Sequence, residues 1–190
     1  DEQGVTQVEP QIEEFLSAGD PPVAFTPGSA HTHANDFWHA AAEACRLTGR
    51  RGMLLTRHAE QIPKQLPDGV RHFAYAPFSE ILPRCAALVY HGGIGTLSQA
   101  FAAGIPHVIM PMAHDQPDNA MRVKRLGVGD YLWPSQFRGP RLAKMIDRLL
   151  ASEEVATACQ DYAARLDGDD AIGKTCDVIE ACSERLQPVP

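Results

Sequence analysis

Short apolar runs alternate with longer stretches of helical periodicity along most of this chain. The first run, Val23-Ala24-Phe25-Thr26, ends at a turn of Pro27, Gly28 and Ser29; further runs span Met53 to Thr56, His72 to Tyr75, Ala86 to Tyr90 and Pro106 to Met110. Runs this short and this apolar predict strands buried on both faces. Between them the apolar spacing changes to three and four. Pro10 suits a first helical turn, Ile12, Phe15 and Leu16 share a face, and Gly19-Asp20-Pro21-Pro22 stops that helix. A second helix, N-capped by Asn35 or Asp36, carries Phe37, Ala41, Ala44 and Cys45 inward. A third runs from about Ile94 to Ala103 and closes at Gly104. The last third is helical: Leu142, Met145, Ile146, Leu149 and Leu150 form one stripe, and Val155, Ala158, Cys159, Tyr162, Ala163 and Leu166 another. A final helix from about Ala171 to Leu186 ends before Pro188 and Pro190. Short apolar strands separated by helices predict an α/β fold, a parallel sheet with helices on both faces. Such sheets bind ligands beyond the carboxyl ends of their strands. Residues 1–9, polar and without periodicity, read as a linker or arm ahead of one domain over residues 10–190.

Composition narrows the function classes. The chain has 190 residues, enough for one full core, and 17 basic against 24 acidic residues give a net charge of -7. No overall field attracts nucleic acid or anionic lipid, so a nucleic-acid partner is not expected. No apolar stretch approaches the roughly 20 residues of a membrane span. Five cysteines, odd in number and without a C-x-x-C pair, read as reduced, mostly buried thiols of a cytoplasmic protein rather than a disulfide framework or zinc site. The start, Asp1-Glu2-Gln3, carries no Met and no basic and apolar leader, which suggests a piece of something longer.

Three segments compete as phosphate sites. Gly168 to Thr175 fits G-x-x-x-x-G-K-[ST], but helical periodicity, not a buried strand, precedes it, and Asp169 and Asp170 would put carboxylates in the phosphate cradle. An Asp-Gly turn between helices, with Asp169 or Asp170 as N-cap, explains it better. The same turn explains the D-x-D triplet Asp167-Gly168-Asp169. His31-Thr32-His33 with His39 lacks the cysteines or carboxylates of a metal set and reads as a polar loop; no metal site is expected. The third segment has the right context. Ala86 to Tyr90 runs into His91-Gly92-Gly93-Ile94-Gly95-Thr96 and then a helix, which aims free N–H groups and the positive helix end at an anion. His91 and the Thr96 hydroxyl can add donors. A dinucleotide fold would want G-x-G-x-x-G with a later acidic residue; Ser98 stands at the third glycine and Asp115 falls in a loop, which weakens a nicotinamide reading.

Phe73 to Gly129 closely resembles the donor-binding signature of the UDP-glycosyltransferase superfamily, family 1 glycosyltransferases of the GT-B fold, in its bacterial form. Carrying the resemblance are Tyr75-Ala76-Pro77, His91-Gly92-Gly93-Ile94-Gly95-Thr96, Gly104-Ile105-Pro106 and Asp115-Gln116-Pro117-Asp118-Asn119-Ala120, in matching order and spacing. With Phe25-Thr26-Pro27-Gly28-Ser29 it covers most of residues 10–150. It implies a Rossmann-like domain, the C-terminal half of a GT-B enzyme. It also implies roles: Tyr75 against the nucleobase, Ala76 on the base edge, Gly28 and Ser29 at the diphosphate loop. His91, Gly93, Gly95 and Thr96 match the main diphosphate clamp, and Asp115 and Gln116 match the pair that holds the donor sugar's hydroxyls. Phe78, Gly95 and Gln99 replace the Gln, Asn and Glu of the plant pattern. Gln99 can still bond a ribose hydroxyl, though more weakly than a carboxylate, and both uridine and deoxythymidine diphosphate stay open.

In such enzymes the acceptor pocket and the catalytic base, usually a His activated by an Asp, lie in an N-terminal domain. That domain is absent here, so no catalytic residue is expected in this chain, and the piece alone should bind donor without transferring sugar. The implied function is donor binding for a metal-independent, inverting transfer from a UDP- or TDP-sugar to a small-molecule or lipid acceptor hydroxyl, with no cofactor. Alternatives are a stand-alone nucleotide-sugar-binding module, a GT-B-fold epimerase or a nicotinamide-dependent oxidoreductase domain.

Overall fold

A computed structural model describes residues 8–28, 34–166 and 170–185. Six parallel strands form one sheet: β1 (Val23–Thr26), β2 (Gly52–Leu55), β3 (Val70–Phe73), β4 (Ala87–Tyr90), β5 (His107–Ile109) and β6 (Gly129–Tyr131), in the order β3-β2-β1-β4-β5-β6. The helices are α1 (Pro10–Ser17), α2 (Asn35–Thr48), α3 (Phe78–Ile81), α4 (Ile94–Ala103), α5 (Gln116–Arg125), α6 (Gly139–Leu150), α7 (Glu153–Leu166) and α8 (Ala171–Arg185). The expected doubly covered parallel sheet is present, with one strand more than the five expected. β6 escaped notice because Gly129 and Asp130 are poor strand formers in a three-residue segment.

Side-chain alternation sends each strand into two cores. Val23, Phe25, Leu54, Val70, Val89 and Val108 face one side, with α2 and α6. Ala24, Met53, Leu55, Leu88, Tyr90 and Ile109 face the other, with α1, α4, α5 and α7. On the first side α2 presents Ala40, Ala41 and Ala44, small enough for α6 to approach closely, and Phe37 stacks on Phe137 with ring centroids 5.1 Å apart. A side chain at Gly139 would strike the Glu43 side chain, which would have to move aside. α2 starts at Asn35 without a side-chain cap, contrary to expectation; the buried Gln61 instead accepts the Ala34 N–H at 2.9 Å. A long-range partner of this kind has no local signature.

The helix over 171–185 lies where expected, and Asp170 caps it: its carboxylate accepts the Gly173 N–H at 2.8 Å. Gly173 and Lys174 are thus helical and no phosphate loop forms there; Asp167, Gly168 and Asp169 lie outside the described residues. Cys45, Cys85 and Cys159 are buried, whereas Cys176 and Cys182 are exposed. Burial pushes the Cys45 and Cys85 thiols up to about 12, which keeps them protonated and unreactive. No described helix is long and apolar enough to cross a membrane.

At the sheet's centre the Tyr90 hydroxyl and His107 Nδ1 lie 3.1 Å apart, between two buried rings. Burial keeps the imidazole neutral, its pKa pushed down from 6.5 to about 3. The unfolded chain takes up a proton near 6.5 that the folded chain refuses. Stability from this site is therefore complete above pH 6.5 and is lost as pH falls toward 3. Between pH 6.5 and 5 the loss is about 2 kcal/mol. Urea denaturation at pH 7 and pH 5 should show a smaller acid loss for His107→Gln than for the parent chain; equal losses contradict this assignment.

Candidate functional site

Strand order reverses between β1 and β4, the only neighbours whose outgoing connections leave in opposite directions along the sheet. The crevice beyond their carboxyl ends is where doubly wound sheets hold ligands. Residues continuing the strands by two positions form a row across this edge: Tyr75, Arg57, Gly28, Gly92, Pro111 and Trp133, from β3 to β6. Hydrogen bonds extend the strand register into that row. Thr56 N–H reaches the Phe73 carbonyl at 3.2 Å, Met110 N–H the Tyr90 carbonyl at 2.8 Å, and Leu132 N–H the Ile109 carbonyl at 2.9 Å.

His91 occupies the switch point. A Cβ on Gly28 would come within 2.7 Å of its ring, and a Cβ on Gly93 within 2.5 Å of its Nε2. The imidazole is packed between two glycine backbones, one from each side of the reversal. Gly28 and Gly92 also hold φ of +90° and +94°, left-handed values that L side chains avoid. A Cβ at Gly92 would meet Ile109 at 2.8 Å. These glycines are demanded by the protein's own packing. Gly95 is not: a Cβ there would meet nothing within 4 Å. It is exposed in the first turn of α4, so its bare backbone is not required by the packing around it.

α4 begins directly behind His91. Gly93 is its N-cap, with no side chain to cap with, and no acidic residue stands in the first turn. Ladder bonding starts with Leu97 N–H to the Gly93 carbonyl at 3.0 Å, so the amides of Ile94, Gly95 and Thr96 stand outside the ladder at the positive helix end. Thr96 is half-buried in that turn.

The loop before α5 is tied to this turn. Buried Asn119 donates from Nδ2 both to the Gly92 carbonyl at 2.9 Å and to Asp115 Oδ2 at 2.8 Å. Asp115 sits at the N-cap position of α5, yet among the described residues its carboxylate makes no cap bond. It stays exposed, held by Asn119 through Oδ2. Gln116 Oε1 accepts the N–H groups of Met112 at 2.9 Å and Ala113 at 3.2 Å. That orientation commits the amide oxygen inward and leaves the amide NH2 as the end able to donate. His114, with φ of +58°, makes the sharp turn between the two functions.

At the other end of the row, Tyr75 is half-buried, with the Arg57 guanidinium carbon 6.0 Å from its ring centroid. Tyr75 lies beyond the end of β3 rather than within the strand expected over 72–75, a two-residue offset that frees its ring for the crevice edge. Ala76 is buried beside it. Gln99, half-buried, lines a groove between α3 and α4 with Phe78, Ser79, Pro83, Ala102 and Ala103. Ser29 and the 31–33 histidine cluster lie outside the described residues, and His39 is exposed on α2. Among the described residues no group of three His, Cys, Asp or Glu side chains gathers as a metal site would need.

The structure therefore brings His91, Gly28, Gly93, Gly95, Thr96, Asp115 and Gln116 together at one crevice, with Tyr75, Ala76 and Gln99 flanking it. Sequence reasoning passed over Asn119 and Arg57. Asn119 follows Asp115 by four, the spacing of one helix face, and that signal was available. Arg57 and Tyr75 are eighteen positions apart and meet only through strand register.

A sheet in this order with a glycine turn at its reversal defines the doubly wound α/β class that takes ligands at the switch point. The sequence model of the family described as "Erythromycin biosynthesis protein CIII-like, C-terminal domain" matches residues 52–180, and the chain belongs to that family. O-mycaminosyltylonolide 6-deoxyallosyltransferase of Streptomyces fradiae is 30% identical over 177 residues, which is 92% of this chain and 41% of that protein. The crystal structure of CalG4, the calicheamicin glycosyltransferase, superposes with a TM-score of 0.76 at 26% identity, over 89% of this chain and 43% of its own. The glycosyltransferase VinC, in complex with DTDP, gives a TM-score of 0.73 at 27% identity, over 88% of this chain and 42% of its own. The chain thus spans less than half the length of these relatives and matches the C-terminal domain of GT-B glycosyltransferases.

The glycines separate into two kinds by what they do. Gly93→Ala, which drives a methyl into His91, should lower the melting temperature, whereas Gly95→Ala should raise helix stability by up to about 1 kcal/mol. Thermal denaturation of the two variants checks this; a fall for Gly95→Ala means the space around it is not open.

Proposed function

We propose that this chain is the donor-binding domain of a glycosyltransferase that transfers a sugar from a nucleoside-diphosphate sugar to an acceptor hydroxyl. The observation that carries the reading is the packing of His91 between Gly28 and Gly93 at the β1/β4 reversal, directly before the uncapped amino end of α4. A diphosphate placed there receives the Ile94, Gly95 and Thr96 amides, the Thr96 hydroxyl and the imidazole. Gly28, just past the end of β1, borders it from the β1 side. The base lies toward Tyr75 and Ala76, the ribose toward Gln99, and the sugar toward Asp115 and Gln116. Asp115 accepts from a sugar hydroxyl and the Gln116 amide NH2 donates to one, the orientation its bonds to Met112 and Ala113 favour. The DTDP held by VinC supports deoxythymidine diphosphate as a donor leaving group.

The acceptor site and the base belong to a partner half, an N-terminal domain of the same protein. There a base removes the acceptor proton as its oxygen attacks the anomeric carbon. The bond from that carbon to the diphosphate breaks, and the electron pair leaves with the nucleoside diphosphate. In-line attack inverts the anomeric centre. This chain's part is to stabilise the charge gathering on the leaving diphosphate with preorganised N–H donors, a role that needs no metal or cofactor. The residues of 10–190 act as one such domain, with residues 1–9 as the arm leading to it.

Isothermal titration of the chain with TDP and UDP, with and without magnesium, tests the reading: saturable binding that magnesium does not change is expected, and binding of neither would overturn it. Loss of a charge-assisted hydrogen bond corresponds to roughly 10- to 100-fold weaker diphosphate binding in His91→Ala. Gly95→Ala should weaken binding while leaving the fold intact. Asp115→Ala should weaken an intact sugar nucleotide but not bare TDP; equal losses for both remove its assigned role.

A further inference from the structure

Arg57 follows β2 by two residues and Tyr75 follows β3 by two. Leu55 and Phe73 are register partners, so Arg57 and Tyr75 leave the sheet side by side. The backbone around Arg57 is held on both sides. Thr56 N–H donates to the Phe73 carbonyl at 3.2 Å, His72 Nε2 lies 2.8 Å from the Thr56 carbonyl, and His58 N–H donates to Thr56 Oγ1 at 3.0 Å. The guanidinium so placed stands over the Tyr75 ring, 6.0 Å from its centroid.

Its charge is also uncommitted. Arg50, Arg84, Arg122, Lys124 and Arg148 each pair with a carboxylate, whereas among the described residues Arg57 makes no ion pair and is exposed. In a chain of net charge -7, a cation of this kind beside the crevice stands out.

We propose that Arg57 and Tyr75 are the two leaves of a nucleobase clamp, the pyrimidine of the donor sliding between the guanidinium plane and the phenol ring. The proposal rests on the reading of the crevice as a nucleoside-diphosphate site and adds a residue to it. Planar groups in contact lie about 3.5 Å apart, so a base between two of them needs about 7 Å. The guanidinium carbon already stands 6.0 Å from the ring centroid, farther than direct stacking contact, so only a modest movement of the side chain opens room for a base. A long exposed side chain does this by small torsional changes. Without ligand, Arg57 covers the ring; a cation–π contact at an exposed site is weak enough to open readily. With ligand, it stacks on the base as the ring does, since guanidinium is planar and weakly hydrated. Stacking accepts uracil and thymine alike, so the clamp supplies affinity for the base and leaves the choice between them to contacts on the base edge.

The test is titration of the parent chain, Arg57→Ala, Arg57→Lys and His91→Ala with TDP and with inorganic pyrophosphate, alongside the hypochromic change of thymine absorbance on binding. Arg57→Ala is expected to weaken TDP roughly 10-fold, to leave pyrophosphate within about two-fold, and to shrink the hypochromic change. Arg57→Lys keeps the charge without the plane and should recover only a minor part of the loss. An equal loss for TDP and pyrophosphate, or full rescue by lysine, makes Arg57 a phosphate-facing charge and overturns the clamp, as does unchanged TDP binding. His91→Ala separates the two readings. If it spares pyrophosphate while Arg57→Ala still weakens TDP selectively, the diphosphate assignment fails and the clamp stands. If the parent chain binds no TDP, both fall.

Discussion

The contact of the His91 imidazole with the bare backbones of Gly28 and Gly93 is the constraint around which the candidate site is built. It joins the two strands that part company at the sheet's reversal. β1 contributes Gly28 in a left-handed conformation, β4 contributes the ring, and the turn after β4 supplies Gly93 and the start of α4. A side chain at either glycine would push the ring from the crevice or pry the turns apart. Close packing of this kind sets the distance between Gly28 at the end of β1 and the start of α4. The sheet beneath supports the same point, because Tyr90, the residue before His91, is anchored through its hydroxyl to buried His107 on β5. A polar pair in the core therefore sits one residue below the polar tip of the strand.

From that centre the site extends in both directions by different means. Toward β5 the extension is covalent geometry plus hydrogen bonding: Asn119 links the Gly92 carbonyl to Asp115, and Gln116 holds its own loop through Met112 and Ala113. These bonds run from buried Asn119 and half-buried Gln116 to the exposed loop of Met112, Ala113 and Asp115. Toward β3 the extension is register alone, with Arg57 and Tyr75 exposed or half-exposed on neighbouring loops. The Asp115 end is thus fixed by hydrogen bonds, while the Arg57 and Tyr75 end is placed by strand register and one ring contact.

Much of this was legible in the sequence. Five of the six strands and the helices at Pro10, Asn35, Ile94 and Gly139 onward announce themselves by apolar period and by Pro or Gly at their ends. The strand-glycine-helix segment at His91 is local, and local order is what a sequence displays. What it hid is long-range. Gln61 capping Ala34 and Arg57 meeting Tyr75 join residues that only folding brings together, and β6 is made a strand by its neighbour β5 against the preferences of Gly129 and Asp130. The glycines were visible as a group, but their division was not. Only the packing distinguishes Gly28, Gly92 and Gly93, which the fold requires, from Gly95, which it does not.

Charge gives the last step. A net of -7 opposes the approach of a diphosphate, and five of the 17 cations are paired with carboxylates: Arg84 on Glu13, Arg50 on Asp147, Arg122 on Asp118, and Lys124 with Arg148 on Asp130. Burial pushes the Asp130 carboxyl up, yet the Tyr131 N–H and those two cations hold it below the usual carboxylate range. Each of these pairs cancels locally, and beyond a Debye length of about 8 Å such exposed charges add little. What remains at the switch point is the α4 amino end, with no acidic residue in its first turn, and the unpaired guanidinium of Arg57. The positive field at this point is therefore a short-range property of backbone direction at one helix end, and because its donors are part of the fold, it is built in with α4 itself.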